Sequence, residues 1–118
     1  MKIILMKIIG YSRVSDSEDN GHSYQDQERA IFDVATHYQF DQPSMIIDKC
    51  KSAAVPILDR PAAPVFRNLG QGDIVIVATI DRLFSSSQSA QEMLVVWQEA
   101  GIRLFVAGMG EVTAENLD

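Results

Sequence analysis

Residues 73–80 read Asp73-Ile74-Val75-Ile76-Val77-Ala78-Thr79-Ile80, and this stretch decides the fold. Its apolar run is continuous rather than alternating, which predicts a strand covered on both faces, central in a parallel sheet. Parallel neighbours need crossover connections, so helices are expected on either side of it. Downstream, Ser85 to Ser89 offers several caps for a helix running to Ala100, and Gly101 is placed to end it. Ile102 to Ala107 follows as another strand, and residues 108–118 form a tail with weak helix signals.

Upstream, Asp59 reads as an N-cap with Pro61 in the first turn of a short helix ending near Leu69. Pro64 lies at the edge of what a first turn tolerates, so that helix is expected to kink or to start late. Gly70 and Gly72 close it, and Lys49 to Leu58 before it is a loop with no period. Ser44 to Asp48 is a strand. An earlier helix begins at Ser23, which forms an approximate capping box with Asp26, and carries the stripe Ile31, Val34, Ala35 and Tyr38. Lys7 to Ser12 is the first strand, and a polar loop over 16–21 separates it from that helix. The alternation predicts an α/β, three-layer sandwich with a mostly parallel sheet of four to five strands.

The 118 residues suit a single domain over 1–118. An apolar fraction of 47% with 22% charged residues excludes global disorder. Ten basic against 16 acidic residues give a net charge of −6, which argues against a free-standing, charge-driven nucleic-acid binder. One cysteine, Cys50, excludes an internal disulfide framework and fits a reducing cytoplasm. The opening apolar run is shorter than the roughly 20 residues a membrane helix needs, and it lacks a signal-peptide cleavage site. Met-Lys-Ile-Ile occurs at 1–4 and again at 6–9, so residues 1–5 read as an extension.

Ligands of parallel α/β sheets gather beyond the carboxyl ends of the strands. Those ends carry Arg13, Lys49, Lys51 and Arg82, and Arg60 stands at the start of the short helix, where a cation gains nothing from the helix dipole. Five of the ten basic residues thus fall on one rim, an anion site in an otherwise acidic protein. A serine inside it would be placed to attack a phosphodiester, with guanidinium groups stabilising the growing charge and no metal or other cofactor needed. Gln27 lies on the buried stripe of its helix and needs a polar partner near the strand ends. His22 and His37 lack metal-ligand company, the acidic loop Asp16, Glu18 and Asp19 reads as a solvated loop in preference to a divalent-ion site, and Cys50 is a lone loop thiol between Lys49 and Lys51.

The ordered blocks Gly10-Tyr11-Ser12-Arg13-Val14-Ser15, Ser23-Tyr24-Gln25-Asp26-Gln27, Asp59-Arg60-Pro61, Gly72-Asp73-Ile74-Val75-Ile76-Val77 and Ile80-Asp81-Arg82-Leu83 resemble the catalytic domain of serine recombinases, the resolvase and invertase family. The resemblance runs from about Ile8 to Val106 and implies about five strands with one antiparallel edge strand. It implies that Ser15 is the nucleophile that forms a 5′-phosphoserine link to DNA. Arg13, Arg60 and Arg82 match arginines that hold the scissile phosphate, and Gln27 and Asp81 match polar residues that order the site. Asp48 and Lys49 lie in a family-like loop. The implied partners are DNA, bound weakly by this chain alone, and a second copy or a full-length recombinase; no membrane is implied.

The sequence departs from that family at three points. A further arginine usually follows the Asp-Arg pair by three residues, and Ser85 stands there, after Phe84. No long dimerising helix and no DNA-binding domain follows within the 118 residues. A catalytically weakened, recombinase-like subunit with an interaction or regulatory role is therefore the alternative expectation. A phosphoacceptor receiver domain has similar alternation, with Asp81 after the third strand, but Tyr11-Ser12-Arg13 does not supply the acidic pair it would need.

Overall fold

The computed structural model describes residues 6–14, 22–49, 52 and 54–117, apart from the side chains of His22 and Ser23. Its centre is β3 (Ile74–Val77), all four residues of which are fully buried. β1 (Ile8–Val14) lies on one side of it and β4 (Arg103–Val106) on the other, both parallel to it. β2 (Ser44–Lys49) pairs in parallel with the outer edge of β1, and β5 (Gly110–Val112) runs antiparallel beside β4. The five-stranded order is β2-β1-β3-β4-β5.

Alternation along the strands divides the core in two. Ile74, Ile76, Ile8 and Phe105 pack with Ile31, Val34 and Ala35 of α1 (His22–His37) on one face. Val75, Val77, Tyr11, Leu104 and Val106 pack on the other face with Phe66 of α2 (Ala63–Arg67) and with Ala90, Leu94 and Trp97 of α3 (Ser87–Ala100). Helices on both faces explain why β3 is apolar at every position instead of at alternate ones. The chain is thus an α/β protein with a mostly parallel sheet between helical layers, as its sequence predicts. Among the described residues, no helix is long and apolar enough to cross a membrane.

Several local expectations need correction. Asp59 does not cap a helix; it ends a 3-10 turn (Ile57–Asp59), the chain is extended at Arg60, and α2 begins at Ala63 after Ala62. A helix begun near Arg60 would set the Pro64 ring against the carbonyl four residues back, whereas the later start leaves Pro64 in the first turn. β3 stops at Val77, and Ile80–Arg82 is a second 3-10 turn. The tail is not helical: Gly108 and Gly110, both at positive φ, reverse the chain into β5. Tyr38 leaves the buried stripe because α1 ends at His37, although its ring still stacks on Phe40. α3 is capped by Ser86, whose hydroxyl accepts from the Ser89 amide in a capping box, and Ser85 is exposed. Gly101 ends α3 in the left-handed conformation, as expected.

Candidate active site

The carboxyl end of β1 carries the candidate site, and α1 sets its position. Gln27 sits on the buried stripe of α1, 3% exposed, and its side-chain amide closes a two-way bridge with one residue of β1. Its Oε1 accepts from the Arg13 amide at 3.2 Å, and its Nε2 donates to the Arg13 carbonyl at 3.2 Å. Gln27 therefore stands in for a sheet neighbour where β1 runs past the end of β3. The partner that its buried place demanded is the strand end itself.

Arg13 and Arg82 clasp each other there. Arg13 Nε donates to the Arg82 carbonyl at 3.2 Å and its Nη2 to the Asp81 carbonyl at 3.3 Å. In return, Arg82 Nη1 donates to the Arg13 carbonyl at 3.1 Å. Arg82 Nε is buried and has no hydrogen-bond partner among the described residues. Two like charges thus share a small volume because each is satisfied in part by main-chain oxygen.

Arg60 adds the third guanidinium from below. It is 3% exposed and donates to the carbonyls of Val55 (2.8 Å), Arg82 (2.8 Å) and Leu83 (2.7 Å) and to the Tyr11 hydroxyl (3.1 Å). Arg60 precedes α2 by three residues, so the helix-dipole argument does not apply to it. The carbonyls of Arg82 and Leu83 are what occupy it instead. Tyr11 in turn donates to Asp48 Oδ2 at 2.7 Å, and Asp48 Oδ1 accepts from the Ala62 amide at 3.0 Å. Burial, reinforced by the bond to Asp48, pushes the Tyr11 phenol far above its ordinary range, so it stays protonated and remains a donor.

Asp48 is fully buried at the end of β2 and ties that strand to the turn before α2. It is not part of a solvated loop. Asp81 differs from expectation in another way. Its carboxylate is exposed and accepts a short hydrogen bond from the Thr79 hydroxyl, while its carbonyl is the group that meets Arg13. Among the described residues, no arginine forms an ion pair with Asp81.

The structure therefore brings Arg13, Arg60, Arg82 and Gln27 together and places the Asp81 main chain beside them. Lys49 is exposed at the end of β2, and Ser85 is exposed before α3. Ser15 follows the last residue of β1, Val14, in the chain, and lies outside the described residues, as do Lys51 and the loop 16–21. Sequence reading gave Tyr11 no role. The signal was present: a polar-tipped aromatic in a doubly buried strand needs a partner for its hydroxyl. An acidic residue two positions beyond Ile46, on the same side of β2, pointed likewise to Asp48.

Comparison with known proteins agrees with this fold. The family described as resolvase, N terminal domain, matches residues 8–117. Among solved structures, the N-terminal catalytic domain of TP901-1 integrase is similar, with a TM-score of 0.67 and 21% sequence identity, covering 88% of this chain and 79% of that one. That likeness is one of fold. No match was found among curated proteins. With a match across almost its whole length and the strand order and arginine cluster described above, the chain belongs to the resolvase N-terminal domain family of the serine recombinases.

Proposed function

We propose that the chain is the catalytic domain of a site-specific serine recombinase that cuts and rejoins DNA through Ser15. In the cleavage step the Ser15 hydroxyl oxygen bonds to the scissile phosphorus, the bond from phosphorus to the 3′ oxygen breaks, and the 3′ oxygen leaves with a proton. The 5′ end stays on the serine as a phosphodiester, and attack by another 3′ hydroxyl reverses the step. The observation that carries this reading is the mutual clasp of Arg13 and Arg82 at the end of the strand that leads into Ser15. Guanidinium groups held in advance offset the negative charge that grows on the phosphoryl oxygens, and they need no reorganisation at the moment of reaction. Gln27 and the Asp81 main chain order that clasp, and Arg60 completes the basic cluster. A second copy or a full-length recombinase is the protein partner under this reading, and the single cysteine fits the cytoplasm.

The test is a covalent protein–DNA adduct on a nicked suicide substrate, with a DNA-binding module fused on to deliver the domain. The adduct is expected from wild type and absent in Ser15→Ala; an adduct that survives in Ser15→Ala refutes the assignment. Ser85 favours the second reading, a weakened subunit with an interaction role, because it stands where the family usually has an arginine and has no capping duty. Loss of one transition-state donor typically costs about 10²–10³ in rate. A clear gain of adduct in Ser85→Arg supports a weakened site, and equal yield returns the reading to a fully competent enzyme.

A further inference from the structure

We propose that Arg60 and Arg82 divide the work of this site: Arg82 contacts the anion, and Arg60 is a positioning residue that never touches it. The identity of the anion as a DNA phosphodiester rests on the recombinase reading above, but the division stands on the contacts of the two side chains. Among the described residues, Arg60 reaches three separate segments: Tyr11 in β1, Val55 in the loop before α2, and Arg82 with Leu83 after β3. It donates to them at 2.7–3.1 Å from a position 3% exposed. To bind a phosphate, its guanidinium would have to leave the buried Leu83 carbonyl without that donor and break the Asp48–Tyr11–Arg60 chain. Abandoning buried carbonyls is unfavourable because no water replaces the lost donor.

Arg82 has the opposite character. Nη1 is engaged with the Arg13 carbonyl, and Nε is buried yet makes no hydrogen bond among the described residues. A buried, unpartnered guanidinium nitrogen is uncommon, and the Nε edge is one that grips two oxygens of a phosphate side by side. The Arg82 backbone is fixed for the purpose. Its carbonyl accepts from Arg13 Nε and from Arg60 Nη1, so it is gripped by two guanidinium groups. Arg60 thereby sets where the Arg82 side chain begins, and Tyr11 and Asp48 set where Arg60 stands.

The chain can be tested as it is, by following the Nε–H resonances of its arginines by NMR during titration with inorganic phosphate. In wild type the Arg82 signal is expected to move saturably while the Arg60 signal stays still. In Arg60→Met, with the backbone spectrum showing an intact fold, the apparent affinity read at Arg82 is expected to fall at least fivefold. A purely structural Arg60 would leave that response unchanged in a folded variant. If Arg60→Met does not fold, Tyr11→Phe removes one acceptor of Arg60 while keeping the ring packed on Phe66, and a weakened Arg82 response is expected there. Movement of the Arg60 signal with phosphate, an unchanged Arg82 response in the folded variant, or no response from either arginine overturns the proposal. Because phosphate binding is read without DNA, a missing Ser15 adduct beside the expected titration refutes the recombinase reading alone.

Discussion

At the scale of single residues, β1 meets α1 so closely that its small side chains are structural choices. A Cβ at Gly10 would lie 2.5 Å from Met45 Sδ and 2.8 Å from Ile31 Cγ2. Gly10→Ala is therefore expected to destabilise the fold by about 1–3 kcal/mol through overpacking. Ser12, two residues on, is fully buried and its hydroxyl has no partner among the described residues. Ser12→Ala removes a desolvated group that makes no bond, so it is expected to be neutral or to stabilise by up to about 1 kcal/mol. Urea unfolding of the two variants measures both. Equal losses in both would show that Ser12 makes a hydrogen bond in solution.

At the scale of elements, helix caps and the edge strand give separable tests. Ser86→Ala removes the capping hydroxyl of α3 and is expected to cost about 1 kcal/mol, whereas Ser85→Ala is expected to leave the melting temperature unchanged. A larger loss in Ser85→Ala would move the cap by one residue and undo the argument that Ser85 is free to be replaced by arginine. β5 is held to β4 by a two-pronged bridge in which Arg103 donates to both carboxylate oxygens of Glu111 at 2.9 Å, with its guanidinium over Phe105. The hydrogen bonds from Arg103 hold the Glu111 carboxyl below its ordinary value. A depressed value in the folded state means the stabilisation is present above the unfolded pKa of about 4.3 and is lost as pH falls through the folded value. Both side chains are substantially exposed, so solvent screening limits the effect to about 0.5 kcal/mol. Glu111→Gln should melt slightly below wild type at pH 6 and together with it at strongly acidic pH. A gap that persists in acid would assign the loss to packing instead of charge.

At the scale of the whole molecule, charge and architecture pull in different directions. The chain carries a net −6, yet three arginines converge on one sheet edge with guanidinium groups committed largely to main-chain oxygen. Such a site can hold one phosphate but offers little to a duplex, whose affinity grows with the number of phosphates neutralised. The isolated chain is expected to bind duplex DNA no more tightly than about 10⁻⁶ M at physiological salt, the strong end of non-specific binding. A fluorescence titration at about 150 mM salt checks this, since exposed charges are screened beyond roughly 8 Å there. Sub-micromolar affinity would contradict it and would require a basic surface that the composition does not supply.

The sequence by itself determined the layers and the family. Continuous apolarity at 74–77 places a strand between two helical layers because only a doubly covered strand loses water on both faces, and that property is local. The ordered blocks around Arg13, Gln27, Arg60 and Arg82 likewise point to the family, since side-chain type and order are written in the chain. The tertiary structure alone decided what each arginine touches. Arg60 and Arg82 look equivalent as residues, but one is spent on carbonyls from distant segments and the other keeps an Nε with no hydrogen bond among the described residues. The resemblance already implies one antiparallel edge strand, but the buried Tyr11–Asp48 link and the placing of that strand at Gly110–Val112, in a tail with weak helix signals, emerged only in the same way. Hydrogen bonds between residues tens of positions apart depend on the register of strands and the placement of turns, and no local pattern of side chains encodes either.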